Sequence, residues 1–552
     1  MTTMLRPTPP PVRQPAVRQP AVDTLAGLGT MLRLVVRRNR VRLTVWWVVL
    51  VGLFAYVGAY YTSMFTTQAA LDDFAALSTT PAIKGLTGLA AAPATLGGAV
   101  WTKIWMTCAL SLAFGVVFLV TRNGRAEEEV GRTELLRSRM LGLHACSVAS
   151  WLVNAALCVA VGAGVALASA AGGLDPIGAG ITGSLVVGAS VAGVGMVALG
   201  VGAVAGQVTS TSRGANGLGS VVLGVLYVLR MIGDLGDGRL TWVSPVGWGQ
   251  EMAPWGANRW WPLGLLVLLA GALLAVAGRL EARRDLGSGL MPERPGPAGA
   301  PARYARPLGL ALRLQRGPII GWTVTVVLCA FLFGSVVQAM TDLIKDAGPT
   351  ATAMLGGTGV DALLSLLVVM IAMITAVFAL QSAVTLRADE ASGIVEPQLA
   401  GAVSRRRWAL ERLLVPAVGA AVLLLIGGAG IGAGYGSIIG DPGQASRLAG
   451  AALAYWPAVM VLVGVAVALF GWLPRLAIPL TWGVLAAMWF IVLIGDALHL
   501  PGWLLDALPF SATPTQPLEP LSWTPLLVLT LVAAGLTWTG LGRFARRDVL
   551  PA

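Results

Sequence analysis

The sequence predicts an all-α polytopic membrane protein of twelve transmembrane helices, arranged as two parallel-repeat halves of six. Three observations carry this. Of the 552 residues, 56% are hydrophobic and only 12% are charged, with a mean hydropathy of +0.77, where a soluble domain would carry roughly twice that charged share. Apolar runs long enough to cross about 30 Å of hydrocarbon recur along the chain. Polar landmarks also repeat at an offset of about 262 residues, which membrane composition alone does not produce.

In chain order, residues 1–23 are rich in Pro and Arg and are predicted to be a disordered cytoplasmic N-terminus. No small-residue cleavage site follows the first apolar run, so that run is expected to stay as an anchor. The first half, 24–280, opens with a basic, partly apolar stretch at 24–42. This suits either a helix lying in the inner interface, with its arginines toward phosphates, or simple positive flanking of a span. Six runs follow near 43–62, 99–121, 145–171, 181–206, 214–233 and 262–280. Residues 281–307, with Pro292, Pro295, Pro297, Pro301 and Pro307, read as an extended cytoplasmic linker. The second half, 308–552, begins with a similar basic stretch at 308–316. Its runs lie near 317–340, 363–386, 409–436, 449–472, 477–495 and 524–541.

The net charge of +12 does not indicate nucleic acid, because no long soluble stretch exists to carry a basic face. The charge instead sorts by loop. With both termini cytoplasmic, about 31 of the 38 lysines and arginines fall on the inner side, as the positive-inside rule requires of a plasma-membrane protein. Lys103, one turn into its span, can snorkel. Arg230 precedes Asp234 by four residues, a natural helical pair near the outer surface. Cys108, Cys146, Cys158 and Cys329 show no CxxC spacing and no partner histidines, so neither disulfides nor a metal site are indicated.

The repeat is clearest in two acidic loops. Arg125-Ala126-Glu127-Glu128-Glu129-Val130-Gly131-Arg132-Thr133-Glu134 returns as Arg387-Ala388-Asp389-Glu390-Ala391-Ser392-Gly393-Ile394-Val395-Glu396. Asp234, Trp261 and Ala282-Arg283-Arg284-Asp285 return as Asp496, Trp523 and Ala545-Arg546-Arg547-Asp548. An even number of spans per half makes the repeat parallel and implies a shared path between the halves. Both loops follow the second run of their half on the cytoplasmic side, where orientation needs arginine but not glutamate. Gly131 can interrupt the prolonged second span. A short helix then follows at 133–140 with Leu135 and Leu136 on one side, and Pro397 suits the first turn of its counterpart. A short helix with charged and apolar faces is a docking element for a soluble partner.

The pattern R-x-(E/D)-E-x-x-G-x-x-E, the basic stretch before each first span, and Ser244-Pro245-Val246-Gly247-Trp248 before a last span resemble the fused twelve-span permeases of ABC-2-type (type V) exporters. More narrowly, the chain is similar to actinobacterial exporters of polyketide antibiotics, the tetronasin-transport type. That resemblance implies elbow helices at the interface and coupling helices received by two copies of a separate ABC ATPase subunit that holds Mg-ATP. By position, Glu127, Glu128, Gly131 and Glu134 would make the first contact and Asp389, Glu390, Gly393 and Glu396 the second. It further implies that the segments after the fifth and eleventh runs are short re-entrant helices. Ser244, Pro245, Trp248, Pro509 and Phe510 would then form an external gate, although Trp242, Trp248, Trp255, Trp260 and Trp261 also read as an aromatic belt.

The chain holds no ATPase motif, since G-x-x-x-x-G-K-[ST] needs lysine and Lys84, Lys103 and Lys345 lie in no such context. It is therefore expected to carry no catalytic residues and no cofactor or metal of its own. A route for a hydrophobic substrate should be apolar and adaptable. Candidate lining residues are the helical pairs Trp101 and Trp105, Met370 and Met373, and Trp482 and Trp489. Two other classes remain open. A proton-driven drug transporter would need ionisable groups near mid-membrane. A transferase for lipid-linked sugars would rest on Asp72 and Asp73 in the first outer loop, where the comparable loop of the second half has a single Asp342.

Overall fold

In the computed structural model the described residues are 24–78, 84–85, 87–88, 90–138, 141–176, 178, 180–285, 287–291, 299, 301–346, 360–494 and 508–549. The N-terminal segment 1–23 and Asp496 lie outside them. Every regular element among the described residues is helical, and ten helices are long and apolar enough to cross a membrane. Of the twelve runs, those at 317–340 and 477–495 are not among the ten, although Pro307–Asp346 and Ala477–Ile494 are both helical there. The chain divides into two compact units, Met1–Pro295 and Gly296–Ala552.

The first unit contains α1 (Leu28–Met64), α2 (Gln68–Ser78) and α3, which runs from Leu96–Val100 through a π turn at Trp101–Trp105 into Met106–Asn123. The short helices α4 (Arg125–Glu129) and α5 (Arg132–Arg137) follow. The unit is completed by α6 (Ala145–Ala171), α7 (Thr182–Val208), α8 (Ser212–Leu235), the seven-residue α9 (Pro245–Glu251) and α10 (Trp261–Arg283). Helix α7 lies at the centre, packed on α3, α6 and α10, and its glycines explain why. A Cβ at Gly188 would come within 2.2 Å of the Gly162 carbonyl on α6, so this close approach requires glycine. Around it Leu112 and Val116 of α3, Val161 of α6, Val191 of α7 and Phe54 of α1 form one buried cluster.

The second unit contains α11 (Pro307–Asp346), α12 (Val360–Ala383), α13 (Thr385–Ala391), α14 (Val395–Leu399) and α15 (Arg405–Ile439). The helices α16 (Gly443–Leu453), α17 (Trp456–Trp472), α18 (Ala477–Ile494) and α19 (Trp523–Arg546) follow. Helix α17 meets α19 through small residues, since a Cβ at Gly471 would sit 2.3 Å from the Gly540 carbonyl. Val368 and Ile371 of α12, Leu424 of α15 and Val463 of α17 fill the core.

The basic stretches are not separate elbow helices. Helix α1 is unbroken over 37 residues, about 55 Å at 1.5 Å per residue, because nothing between Thr30 and Val51 breaks a helix. Helix α11 likewise runs through Pro318 within its 40 residues. At the start of the linker, Leu290 and Met291 donate backbone hydrogen bonds to the carbonyls of Gln207 and Val208 at the end of α7 (3.3 and 3.0 Å).

Candidate functional site

The acidic loops are built from helices too short to hold themselves. A helix of five to seven residues is far below the length at which a peptide helix persists in water, so α4, α5, α13 and α14 depend on what they bind. Each pair is separated by a glycine in the left-handed region, Gly131 at φ 71° and Gly393 at φ 74°, which a residue with a Cβ adopts only under strain. A Cβ at either glycine would meet nothing within 4 Å, so the backbone angle alone sets the preference.

The carboxylates of each loop divide into two populations. Glu128 turns inward, with a side chain only 7% exposed. It accepts from Arg125 three residues earlier at 2.8 Å and from both terminal nitrogens of Arg284, directly after α10, at 2.6 and 2.8 Å. Arg125 also donates to the carbonyls of Ser210 (2.7 Å), Gly287 (2.9 Å) and Ser288 (2.8 Å). Arg284 reaches Gln207 at the end of α7 (2.5 Å).

Glu390 is fully buried and repeats the arrangement. It accepts from Arg387 at 3.0 Å and from both terminal nitrogens of Arg547, directly after α19, at 2.5 and 2.9 Å. Arg547 in turn donates to the carbonyl of Phe470 on α17 (3.2 Å) and lies over the rings of Phe470 and Phe544.

The neighbouring acids are also engaged. Glu127 pairs with Arg38 of α1, and with Arg132 at 3.4 Å. Asp389 pairs with Arg412 of α15. Glu129 accepts from the backbone N–H and hydroxyl of Ser212 (2.8 and 2.6 Å) and so caps the start of α8. Ala391, the residue at that place in the second loop, has no such function. The exposed residues of the loops include Val130 (63% exposed), Glu134, Leu135 (72%), Ile394 (44%), Glu396 and Pro397. The two sets of loop residues predicted to meet a partner are thus split. Glu134 and Glu396 face outward, Gly131 and Gly393 form the turns, Glu127 and Asp389 are paired within the chain, and Glu128 and Glu390 are spent on internal arginines.

The segment after α8 folds back onto that helix. Ser244 caps α9 by accepting from the Val246 N–H (3.3 Å) and donates its own hydroxyl proton to the Leu226 carbonyl (2.7 Å), while Pro245 occupies the first turn. Trp248 donates to the Trp242 carbonyl (2.6 Å), and Trp242 stacks on Trp261 with centroids 5.1 Å apart. At the centre is Asp234, which accepts from Arg230 (3.0 Å), Thr241 (2.7 Å) and Gln250 (3.2 Å), all four residues being buried. Reading Arg230 and Asp234 as a pair near the surface missed this, because the partners Thr241 and Gln250 arrive only through the fold-back. Burial pushes the Glu251 carboxyl at the end of α9 upward, opposed by Arg259 at 3.2 Å.

Trp260 and Trp261 are exposed as a belt requires, but Trp255 is buried, filling a space that Gly97 and Gly183 leave open. In the second unit Pro509 is half-buried and Phe510 packs on Tyr455 (6.1 Å).

Three of the six candidate lining residues lie in the cores. Trp101 and Trp105 are buried and stacked at 4.1 Å on the π turn, with Trp105 donating to Ser190 (2.8 Å). Met373 is buried, Met370 and Trp489 are half-buried, and Trp482 is exposed. Interhelical packing therefore accounts for Trp101, Trp105 and Met373 without a substrate.

Two comparisons bear on this arrangement. The family model "Multidrug efflux system permease Rv1217c, C-terminal domain" matches residues 305–545. Over 526 residues the chain is 36% identical to the multidrug efflux system permease protein Rv1217c of Mycobacterium tuberculosis, spanning 94% of each chain.

Proposed function

Because the chain belongs to the family of multidrug efflux system permeases, we propose that it is the membrane-embedded subunit of an ABC-2-type exporter, with twelve spans in two repeated halves. In this reading it expels hydrophobic or amphiphilic compounds, including polyketide antibiotics, drugs or lipids, across the bacterial plasma membrane. Both termini are cytoplasmic. Energy comes from two copies of a separate ATPase that hold Mg-ATP and dock on the acidic loops, and nucleotide-driven closure switches the permease from inward to outward access.

The observation that carries the reading is the likeness to a multidrug efflux permease over nearly the whole of both chains. The exposed loop residues support the docking site. Each loop offers an apolar residue beside a carboxylate, Leu135 with Glu134 and Ile394 with Glu396, as the contact of a short helix in a groove requires. The Ser244–Glu251 fold-back supports an external gate, since it is a short helix held against α8 by side chains rather than by its own length.

A proton-driven transporter is favoured by one feature, the buried Arg230–Asp234 pair, because intramembrane charges mark proton paths. The pair lies near the end of α8, and its carboxylate also accepts from Thr241 and Gln250, which suits a fastening better than a relay.

The docking site is tested by Leu135→Asp and Ile394→Asp in the full chain. Each should leave the permease folded and weaken co-purification of the ATPase by about tenfold, the loss of one buried apolar contact. Undiminished co-purification by the double variant would move the docking site elsewhere.

A further inference from the structure

The inward-facing glutamates are turned away from the loop surface, and the arrangement around them occurs twice. In each unit one carboxylate gathers an arginine three residues earlier in its own short helix and a second arginine 156 or 157 residues away. That distant arginine is the C-cap residue of the unit's last long helix, Arg284 after α10 and Arg547 after α19. It also binds the end of α7 through Gln207, or of α17 through the Phe470 carbonyl. Three elements of each unit thus converge on one carboxylate.

We infer that Glu128 and Glu390 are positioning residues that lock each acidic loop to the end of its unit's last helix, so that a displacement of the loop is delivered to α10 and α19. The inference rests on the reading of the loops as the place where an ATPase acts.

Three physical points support a mechanical role over simple stabilisation. First, α4 and α13, of five and seven residues, cannot transmit force unless braced, and the latch is a two-nitrogen, two-oxygen arginine–carboxylate contact, whose geometry resists rotation as well as separation. Second, a buried ion pair is an inefficient way to add stability, because desolvation offsets most of the attraction. Third, each triad holds two arginines against one carboxylate, and the surplus charge is dispersed over carbonyls and rings that belong to the same junction. In the first unit these are the Ser210, Gly287 and Ser288 carbonyls. In the second they are the Phe470 carbonyl and the Phe470 and Phe544 rings. The arginine at each helix end also sits where the helix dipole favours a cation.

The experiment uses the full permease with its ATPase in proteoliposomes, measuring a transported dye and ATP hydrolysis together. Glu128→Gln and Glu390→Gln should retain ATPase assembly and hydrolysis while dye moved per ATP falls about tenfold, the scale of a coupling between sites. The exchange Glu390→Arg with Arg547→Glu keeps one carboxylate between two arginines and should restore most of the lost transport. A merely structural role would lower assembly, hydrolysis and transport together, and that result overturns the inference. Unchanged dye per ATP in both Gln variants overturns it as well. If wild-type transport ignores ATP, the exporter reading itself fails, and the latch loses the force it is meant to carry.

Discussion

Asp234 shows what a single residue does in this chain and how little of it spacing reveals. Its helical neighbour Arg230 is four residues away and legible in the sequence. Its burial and its bonds to Thr241 and Gln250 depend on the chain reversing after α8, and no periodicity encodes that reversal. Replacing Asp234 by Ala leaves the Arg230 guanidinium buried without its carboxylate, which costs about 3–5 kcal/mol. The variant should melt well below the wild type in detergent, and Asp234→Asn, which still accepts from Thr241, should lose less. Equal melting of Asp234→Ala and wild type would show that the fold-back is held by other contacts. Glu128 teaches the same lesson: the motif was visible, but the direction of its side chain was set by an arginine 156 residues away.

Among the elements, the long apolar helices were legible because length and hydropathy suffice. The break in the acidic loop at Gly131 was legible too, and its left-handed φ of 71° gives the reason. Gly131→Val should strain the turn by about 1–2 kcal/mol and reduce ATPase co-purification, whereas Gly131→Asn, which tolerates that conformation, should be close to wild type. Equal binding by Val and Asn variants would show that the turn does not shape the docking site. What the sequence could not disclose was continuity. A basic stretch before a span reads equally as an interfacial helix or as the extension of the span. In α1 the structure extends it, because no Gly or Pro lies between Thr30 and Val51. Nor could the sequence divide aromatic pairs between a lining and a core, since helical spacing is the same for both; burial places Trp101 and Trp105 in the core.

At the scale of the whole molecule, two helical units carry the same carboxylate latch and the same glycine turn, within a chain that belongs to the multidrug efflux permeases. Composition excluded soluble classes, and the lysine count made an internal ATPase motif implausible. The compound transported was not legible, because apolar surfaces that pack helices and apolar surfaces that pass a drug use the same residues. The account therefore turns on the source of energy. The most direct measurement is dye export by the purified chain in proteoliposomes, with and without its ATPase, with and without ATP, and under an imposed pH gradient. The account predicts export only when ATPase and ATP are both present, with the pH gradient alone giving none. Export by the chain alone on a pH gradient would contradict it.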